Sequence, residues 1–358
     1  MLAAVLGVAA ALSLTSVSAT SPDDKPGRPI AVQEVVPGKL IVKVFGGTVP
    51  GKNGPLPVWT YATDGLRATG QKELLLTILR KRDERPEQYP TDPFAIFAAL
   101  YPLAASGKLA GEGGHARFAG APFLGRTDVT GILYTRPDPL RSAAAQADGL
   151  LLVPLTESEL QVASKLGHLR MLGILGAHYG EYPWPVFFDR TRPSLVPDPE
   201  EWHSILSMMV LVRIPGVRVA ASMAGSGTEW VGGGNLEISL PRTRQDEIAD
   251  AVLDHGDSSV ALLAELDPAA NGLAIYRPGQ NGPTAIKAGT NAVSRVSGNF
   301  VSFLSGTAVA DSARLYEDGF AVTLTPDSRR ALADALRTGQ DLDRPGRGGM
   351  SFSLRWRE

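Results

Sequence analysis

Alternating and continuous apolar runs predict strands through the first half of the chain. Pro37-Gly38 separates the first two runs, which predicts a short hairpin. The run at 73–79 is apolar almost throughout, which is typical of a strand buried on both faces. The strands predicted in this half are 31–36, 39–45, 58–62, 73–79, 131–135 and 150–155.

Two stretches of the same half carry helical spacing. After Pro93, apolar residues recur at helical intervals until Gly107, so we predict a helix that begins at the proline. Residues 156–159, Thr-Glu-Ser-Glu, form a capping-box pattern. The amphipathic helix that follows this pattern is predicted to run to about residue 178.

The second half contains two copies of a strand that leads into a helix. Residues 236–252 and 322–336 align so that Ile-Ala-Asp-Ala-Val matches Leu-Ala-Asp-Ala-Leu in the same register. A duplication and the chance recurrence of common helix-forming residues both remain open, because short repeats are weak signals. Further strands are predicted at 260–265, 272–276, 284–287 and 299–304, so this half is also α+β.

The length of the chain and one unusual connector predict two domains. A chain of 358 residues exceeds the roughly 250 to 300 residues at which single cores stop growing. The connector 181–202 is rich in proline and aromatic residues, which indicates an ordered segment rather than a flexible one. We therefore predict an N-terminal linker and hairpin at 20–57, an α+β domain at 58–196 and a second α+β domain at 203–358.

The first 19 residues have the pattern of a secretory signal peptide. An apolar run is followed by Val17-Ser18-Ala19, a small-residue pattern that suits cleavage after Ala19. We therefore expect export to the periplasm or the extracellular space, with no membrane span left after the leader is removed. No Lys or Arg precedes the run, so a misassigned start codon or a buried N-terminal helix, and a cytoplasmic protein, is the alternative.

Charge and cysteine content exclude several classes of function. The 35 basic and 37 acidic residues leave a formal charge of -2, which provides no field to attract nucleic acid. The absence of cysteine excludes disulfides, thiolate nucleophiles and Cys-ligated zinc. No two of the five histidines have the i, i+4 spacing of a helical metal site. We predict neither a metal site nor a cofactor.

No catalytic residue is predicted from the motifs. The glycine-rich stretch 225–235 has neither the spacing nor the context of a phosphate-binding loop. His115, which follows two glycines, could act as a base, although a structural histidine is the simpler interpretation. The alternative function is an envelope hydrolase whose triad lies hidden between the domains and uses His115 or His178.

The connector contains four aromatic residues that could contact a partner: Tyr182, Trp184, Phe187 and Phe188. They suit either plain packing between the domains or the wall of a groove that holds an extended peptide. The groove is the hypothesis that we carry forward as the partner-binding site.

Short motifs are spread along the chain at Trp59, Gly65, Gly70, Gln71, Glu73, Gly114, His115, Phe123, Leu124, Gly125, Tyr134, Tyr179 and Pro183. In their residues and their order they resemble the C-terminal region of the Smad anchor for receptor activation and its relative endofin. Through Trp59, Tyr61, residues 74–78, Pro93 and residues 155–160, the first half is also similar, more distantly, to the Suppressor of Fused domain.

The resemblance implies a non-catalytic module that binds a protein or peptide, and a first domain with a Suppressor of Fused-like fold. The animal proteins carry a cysteine-rich lipid-binding zinc finger ahead of this region, and a chain without cysteine cannot form one. Endosomal targeting is therefore not implied. A cytosolic immunity-type binding protein is the alternative if the signal peptide is not real.

Overall fold

The computed structural model describes residues 4–7, 27–119, 122–137, 149–223, 234–255, 258–289, 292–306, 308–347 and 349–358. Within these residues two sheets form with accompanying helices, which confirms the predicted α+β class. The chain divides into unit 1, Met1–Leu160 with Pro185–Pro197, and unit 2, Gln161–Trp184 with Asp198–Glu358. Most of the predicted leader and of the glycine-rich stretch 225–235 lies outside the described residues.

Unit 1 is built on a mixed sheet and one long helix. Its elements are β1 (Ala4–Gly7), β2 (Ala31–Val36), β3 (Leu40–Val49), β4 (Leu56–Asp64), β5 (Leu74–Leu79), α1 (Asp92–Ala105), β6 (His115–Ala119), β7 (Val129–Thr135) and β8 (Leu150–Thr156). The strand order is β1-β6-β7-β8-β5-β4-β3-β2, with parallel pairs at β1-β6 and β5-β8. β5 lies inside the sheet and is buried along nearly all of its length, as its apolar run predicts.

Unit 2 carries the second sheet. Its elements are α2 (Glu157–Leu166, which begins in unit 1), α3 (His168–Tyr179), β9 (Val210–Met223), β10 (Gly234–Pro241), α4 (Gln245–Leu253), β11 (Val260–Glu265), β12 (Gly272–Ile275), β13 (Thr284–Lys287), β14 (Arg295–Ser297), β15 (Phe300–Phe303), β16 (Ser312–Tyr316), β17 (Gly319–Thr323), α5 (Pro326–Thr338), β18 (Leu342–Arg344) and β19 (Ser351–Arg357). The main strand order is β13-β12-β14-β9-β11-β15-β17-β16. Outside this path, β10 pairs with β9 and β19, and β19 also pairs with β18. Among the described residues no helix is both long and apolar enough to cross a membrane.

The first domain predicted from the sequence, 58–196, includes residues 161–184, but in the structure these residues pack in unit 2. The reason is α3, which contacts β12 and β13 of the second sheet. A side chain at Gly173 would come within 2.7 Å of Ile275, so the helix and the sheet approach too closely there for any residue larger than glycine.

The capping box predicted at residues 156–159 forms at the start of α2. The Glu159 carboxylate accepts a hydrogen bond from the Thr156 backbone N–H at 3.0 Å, and the Thr156 hydroxyl accepts one from the Glu159 N–H at 3.4 Å. The guanidinium of Arg192 forms a buried ion pair with the same carboxylate, at 2.8 Å from Nη2 to Oε2. Glu159 therefore joins the start of α2 to the connector within unit 1.

The helix predicted from residue 156 to about residue 178 is interrupted at Gly167. This glycine has a φ of 105°, and a Cβ on it would lie 2.3 Å from the side-chain oxygen of Asn299. The Asn299 side-chain N–H donates to the Leu166 carbonyl oxygen at 2.7 Å. Asn299 therefore occupies the break and satisfies a carbonyl that a continuous helix would have bonded internally.

β9 was not predicted, although it contacts three other strands of its sheet. It contains Pro215-Gly216, a pair that normally argues against an inner strand. The structure accommodates the pair with a register shift between β9 and β11. Gly216 has a φ of 90°, and its N–H donates to Glu265 at 2.8 Å.

The two strand-helix segments noted in the sequence are β10 with α4 and β17 with α5. The two helices pack against each other. The strands have different neighbours, however, because β10 pairs with β9 and β19 whereas β17 pairs with β15 and β16.

Candidate functional site

Glu73 is the centre of a buried hydrogen-bond cluster that follows β4. Its carboxylate accepts hydrogen bonds from the Thr63 hydroxyl at 2.6 Å and from the N–H groups of Gly65 and Arg67 at 3.1 Å each. Gly65 has a φ of 128°, and a Cβ there would lie 2.2 Å from the Lys39 carbonyl oxygen. The motif residues Gly65 and Glu73 thus shape the turn between β4 and β5.

Gln71 connects this turn to the segment after α1. Its side-chain N–H donates to the Ala110 carbonyl at 3.2 Å, and its side-chain oxygen accepts from the Ala110 N–H at 2.6 Å. Gly70, with a φ of 83°, ends the short turn just before it. The same stretch begins at Trp59, whose buried indole N–H donates to the Pro86 carbonyl at 2.7 Å.

Four motif residues, Gln71, Gly114, His115 and Tyr134, line one cavity of unit 1, which we call the α1 cavity. The Tyr134 N–H donates to the Gly114 carbonyl at 2.9 Å, which places β7 against the loop before β6. The cavity has a volume of about 410 Å³. Its apolar wall is formed by Leu66, Leu74, Leu100, Leu103 and Ala104. Sequence reasoning singled out the four motif residues but did not predict that they share a cavity.

The motif Phe123-Leu124-Gly125 forms a tight turn. Phe123 and Arg126 exchange two backbone hydrogen bonds of 2.9 and 3.0 Å, and both central residues have positive φ, 53° at Leu124 and 76° at Gly125. The Leu124 N–H donates to the Asp92 carboxylate at the start of α1, at 2.8 Å. The turn is therefore closed by its own backbone hydrogen bonds and tied to α1 through Asp92, and Phe123 is buried in the core.

In unit 1 the connector contributes Phe187 and Phe188, which are both buried. The Phe188 N–H donates to Thr77 at 2.8 Å, and its carbonyl accepts from Leu79 at 2.9 Å. β8 pairs with β5 only at Leu74 and Leu75, so Phe188 supplies bonds to the part of β5 that β8 leaves open. This part of the connector completes the sheet.

In unit 2 the connector begins after Tyr179, the last residue of α3, with Tyr182, Pro183 and Trp184. The Tyr182 hydroxyl donates to the Ala270 carbonyl at 2.6 Å, and burial raises the pKa of this hydroxyl to about 12. Trp184 is buried, whereas Tyr182 is partly exposed. Contact between these residues and a partner stays a prediction, and for the three buried side chains it would require them to leave their present packing.

A buried charged cluster in unit 2 was missed by the sequence analysis. Arg170 donates from Nε to Asp318 and from Nη2 to Glu317, both at 2.9 Å, and Arg170 and Asp318 are fully buried. Its guanidinium carbon lies 5.2 Å from the centre of the Tyr276 ring. Glu317 accepts from the Ser204 hydroxyl at 2.7 Å. We call Arg170, Ser204, Tyr276, Glu317 and Asp318 the Arg170 cluster.

Electrostatics favour a charged Arg170 despite its burial. Burial alone would lower the pKa of Arg170, but the carboxylates of Asp318 and Glu317 raise it above its ordinary value. Glu317 has a φ of 54°, a conformation uncommon for a residue other than glycine, asparagine or aspartate. The turn between β16 and β17 is thus held by its ion pairs in a conformation with a local cost.

Two large apolar side chains on elements that the cluster fixes are exposed. Met208 ends a short turn whose first N–H, that of Ile205, donates to Glu317 at 2.8 Å, and its exposed fraction is 82%. Tyr316 directly precedes Glu317 and is 47% exposed. Through Glu317, one rigid group of ion pairs therefore positions two apolar side chains that face solvent.

The described residues contain no group of three or more His, Asp or Glu side chains that could hold a metal ion. In the part of unit 1 that the structure describes, His115 lies in the wall of the α1 cavity, which contains neither serine nor carboxylate. His178 packs edge to face against Tyr179, with ring centres 4.8 Å apart.

These features define a two-sheet α+β protein whose second unit contains the buried Arg170 cluster. The sequence profile of the family described as Smad anchor for receptor activation-like, C-terminal, matches residues 149–347. The match covers more than half of the chain, so the chain belongs to this family, which confirms the resemblance found in the sequence.

Two curated relatives are similar over most of the chain. The human zinc finger FYVE domain-containing protein 9 is 26% identical over 298 residues, and the mouse zinc finger FYVE domain-containing protein 16 is 24% identical over 305 residues. Each match covers 79% of this chain but only 20% and 19% of the respective relative. The chain thus spans about a fifth of the length of these relatives.

Solved structures of Suppressor of Fused are also similar to the chain. The crystal structure of Drosophila Suppressor of Fused matches with a TM-score of 0.34 and 12% identity over 89% of both chains. A structure of the Sufu-Fu complex matches with a TM-score of 0.33 and 19% identity over 44% of this chain and 77% of that chain.

Proposed function

We propose that this protein is a non-catalytic module that binds another protein through exposed apolar residues beside the Arg170 cluster. The observation that carries the proposal is family membership, because the matched residues 149–347 contain the whole cluster and the family is named after an anchor protein. Fold alone would be a weak warrant for function, and the proposed contacts therefore lie within this region of the chain.

The geometry beside the cluster suits a protein partner. Met208 and Tyr316 belong to the residue types that are enriched at protein interfaces, and methionine adapts its shape to different partners. The Arg170 cluster holds both chain segments in place, so little conformational entropy is lost when a partner binds. Pre-organised apolar anchors of this kind dominate binding energies at interfaces.

A pull-down from native extract tests the proposal with two matched variants of the full chain. Met208→Asp/Tyr316→Asp places charges at the proposed site, and Val309→Asp places one at a fully exposed apolar residue elsewhere in the sequence of unit 2. We expect one protein to be enriched by the parent and by Val309→Asp and lost from the double variant, with all three chains equally folded by circular dichroism. Equal enrichment by all three, or no enrichment, would contradict the proposal.

Partner contact by the connector is a separate proposal that the same pull-down can address. Tyr182 is the partly exposed member of the aromatic set, and Tyr182→Ser removes its ring without opening a fully buried site. Loss of the partner from this variant alone would favour the connector. Retention of the partner would leave Met208 and Tyr316 as the preferred contacts.

Export is proposed from the N-terminal pattern alone. Intact mass measured on protein from its native source should correspond to a chain that begins at Thr20. Such a chain would lack β1, the edge strand that pairs in parallel with β6. A measured mass that includes the leader would favour the cytosolic alternative.

A further inference from the structure

The α1 cavity has the volume and the apolar lining of a small-molecule site. Its volume of about 410 Å³ falls in the range of roughly 300 to 1,000 Å³ that is usual for ligand pockets. The leucines of β5 and α1, together with Ala104, Ala110 and Ala116, provide a hydrocarbon wall. An occupant must therefore be largely apolar.

The cavity is accessible and its wall is held in place. Leu109, one of its lining residues, is 51% exposed, which places part of the lining at the surface. The next residue, Ala110, is held by two hydrogen bonds with Gln71: its carbonyl oxygen accepts from the Gln71 side-chain N–H, and its own N–H donates to the Gln71 side-chain oxygen. A pre-formed cavity with an exposed edge can admit a ligand without a large rearrangement.

The polar groups in the lining favour an anionic head group. Lys108 is exposed and has no ion-pair partner within the described residues. Tyr134 also lines the cavity, and burial raises the pKa of its hydroxyl, which therefore stays protonated and uncharged.

We propose that the α1 cavity binds a small amphipathic carboxylate, with its hydrocarbon chain against the leucine wall and its carboxylate at the ammonium group of Lys108. A medium-chain fatty acid anion has this chemistry. The site lies in unit 1, outside the residues matched by the family, so the proposal stands apart from the proposed protein-binding surface.

Calorimetric titration of the full chain with octanoate, octanol and octylamine tests the recognition of both ends of the ligand. We expect octanoate to bind about two- to fivefold more tightly than octanol, the gain typical of an exposed ion pair, and octylamine to bind more weakly than either. Affinity should rise roughly threefold to fourfold per methylene from butanoate to octanoate as apolar surface is buried.

Variants locate the site and its charge. Lys108→Gln should remove the preference for octanoate over octanol, whereas Lys52→Gln, at another exposed lysine of unit 1, should retain it. Leu103→Trp should abolish binding by filling the cavity. Alanine-methyl NMR spectra of the parent give an independent map, because Ala104, Ala110 and Ala116 line the cavity and should shift with octanoate.

The proposal is overturned if octanoate fails to bind at millimolar concentration, or if it binds while these three methyl groups remain unshifted. It is also overturned if octanoate and octanol bind the parent equally. If Leu103→Trp does not fold, the methyl spectra and the Lys108→Gln comparison still decide the question.

Discussion

Arg170 is the residue that joins the two acidic side chains of the Arg170 cluster, Glu317 and Asp318. One guanidinium serves two carboxylates, and its Nη1 atom has no hydrogen-bond partner among the described residues. Removing one side of a buried ion pair leaves the other charge without compensation, whereas replacing both sides by apolar groups is often tolerated. The cost of a change at Arg170 therefore depends on what remains at Asp318.

We predict that Arg170→Met lowers the free energy of unfolding by about 3 to 5 kcal/mol. Arg170→Met/Asp318→Leu should recover a large part of this loss, because it removes the uncompensated carboxylate. Arg330→Met, at an exposed ion pair with Asp327, should cost at most about 1 kcal/mol. Urea unfolding followed by circular dichroism measures all three, and a double variant less stable than Arg170→Met would contradict the argument.

Asp311 fixes the start of α5 through two hydrogen bonds. Its Oδ1 accepts from the Thr325 N–H at 2.7 Å, and its Oδ2 accepts from the Ser328 hydroxyl. Burial alone would raise the pKa of Asp311, but these hydrogen bonds lower it below the ordinary value of 3.8. The stabilisation is therefore complete above pH 3.8 and is lost as the pH falls through the lowered pKa of the folded state.

We predict that Asp311→Asn is less stable than the parent by about 1 to 3 kcal/mol at neutral pH, because hydrogen bonds to a charged group are lost. The difference between the two proteins should narrow as the pH falls below 3.8. Urea midpoints of both proteins, measured in parallel down a pH series, test this. A difference that stays constant through the acid range would show that the charge of Asp311 does not stabilise the fold.

Individual elements could be predicted from the sequence where the signal is local. The continuous apolar run of β5, Pro93 at the start of α1 and the capping box at Thr156 each lie within a few residues of the structure they specify. The break at Gly167 could not be predicted, because glycine is tolerated inside a helix and the residue that requires the break, Asn299, is 133 positions from Leu166.

Candidate sites, like the elements, could be predicted from the sequence only where their signal is local. Gln71 and Glu73 stood out because they lie in a dense local motif, and the structure gives each a definite hydrogen-bonding role. Arg170 and Asp318 are 148 residues apart and belong to ordinary-looking segments. The local signal for that site was the acidic pair directly before Gly319 in a hairpin, which indicates a turn but not its buried partner.

Glycine is required at the helix break for two reasons, its positive φ and the close approach of Asn299, and we predict that Gly167→Ala is destabilising through both. The alanine backbone must adopt a φ of 105°, and its Cβ would lie 2.3 Å from the side-chain oxygen of Asn299. We therefore expect a loss of about 2 to 3 kcal/mol in the free energy of unfolding. Gly279→Ala is the matched control, since its φ is 76° with open space around it, and should cost only about 1 kcal/mol. Equal losses by thermal and urea unfolding would mean that the close approach to Asn299 carries no cost.

At the scale of the whole molecule, each unit is assembled from two separate stretches of chain. Unit 1 is completed by Pro185–Pro197, and unit 2 takes Gln161–Trp184 from within the sequence of unit 1. A cut at any single position therefore cannot release both units intact. α3 in particular depends on strands that come much later in the chain.

We predict that the fragment 1–197 binds the dye ANS strongly while the full chain does not. The fragment retains α3 but lacks β12 and β13, so the buried apolar residues Leu169, Met171, Leu172, Ile174 and Leu175 would face solvent. The same fragment with Leu172→Glu and Leu175→Glu should bind less dye. Dye fluorescence as low as that of the full chain would contradict the dependence of α3 on the second sheet.

Because unit 2 is assembled from two separate stretches of chain, part of it must wait for later residues during synthesis on the ribosome. α3 ends at Tyr179 and β12 begins at Gly272, so roughly ninety residues must be translated before the helix can bury its apolar face. At about 5 to 20 residues per second, this interval lasts on the order of 5 to 20 seconds. A translational pause between these positions would prolong the exposure of α3 and increase the demand of the nascent chain for chaperones.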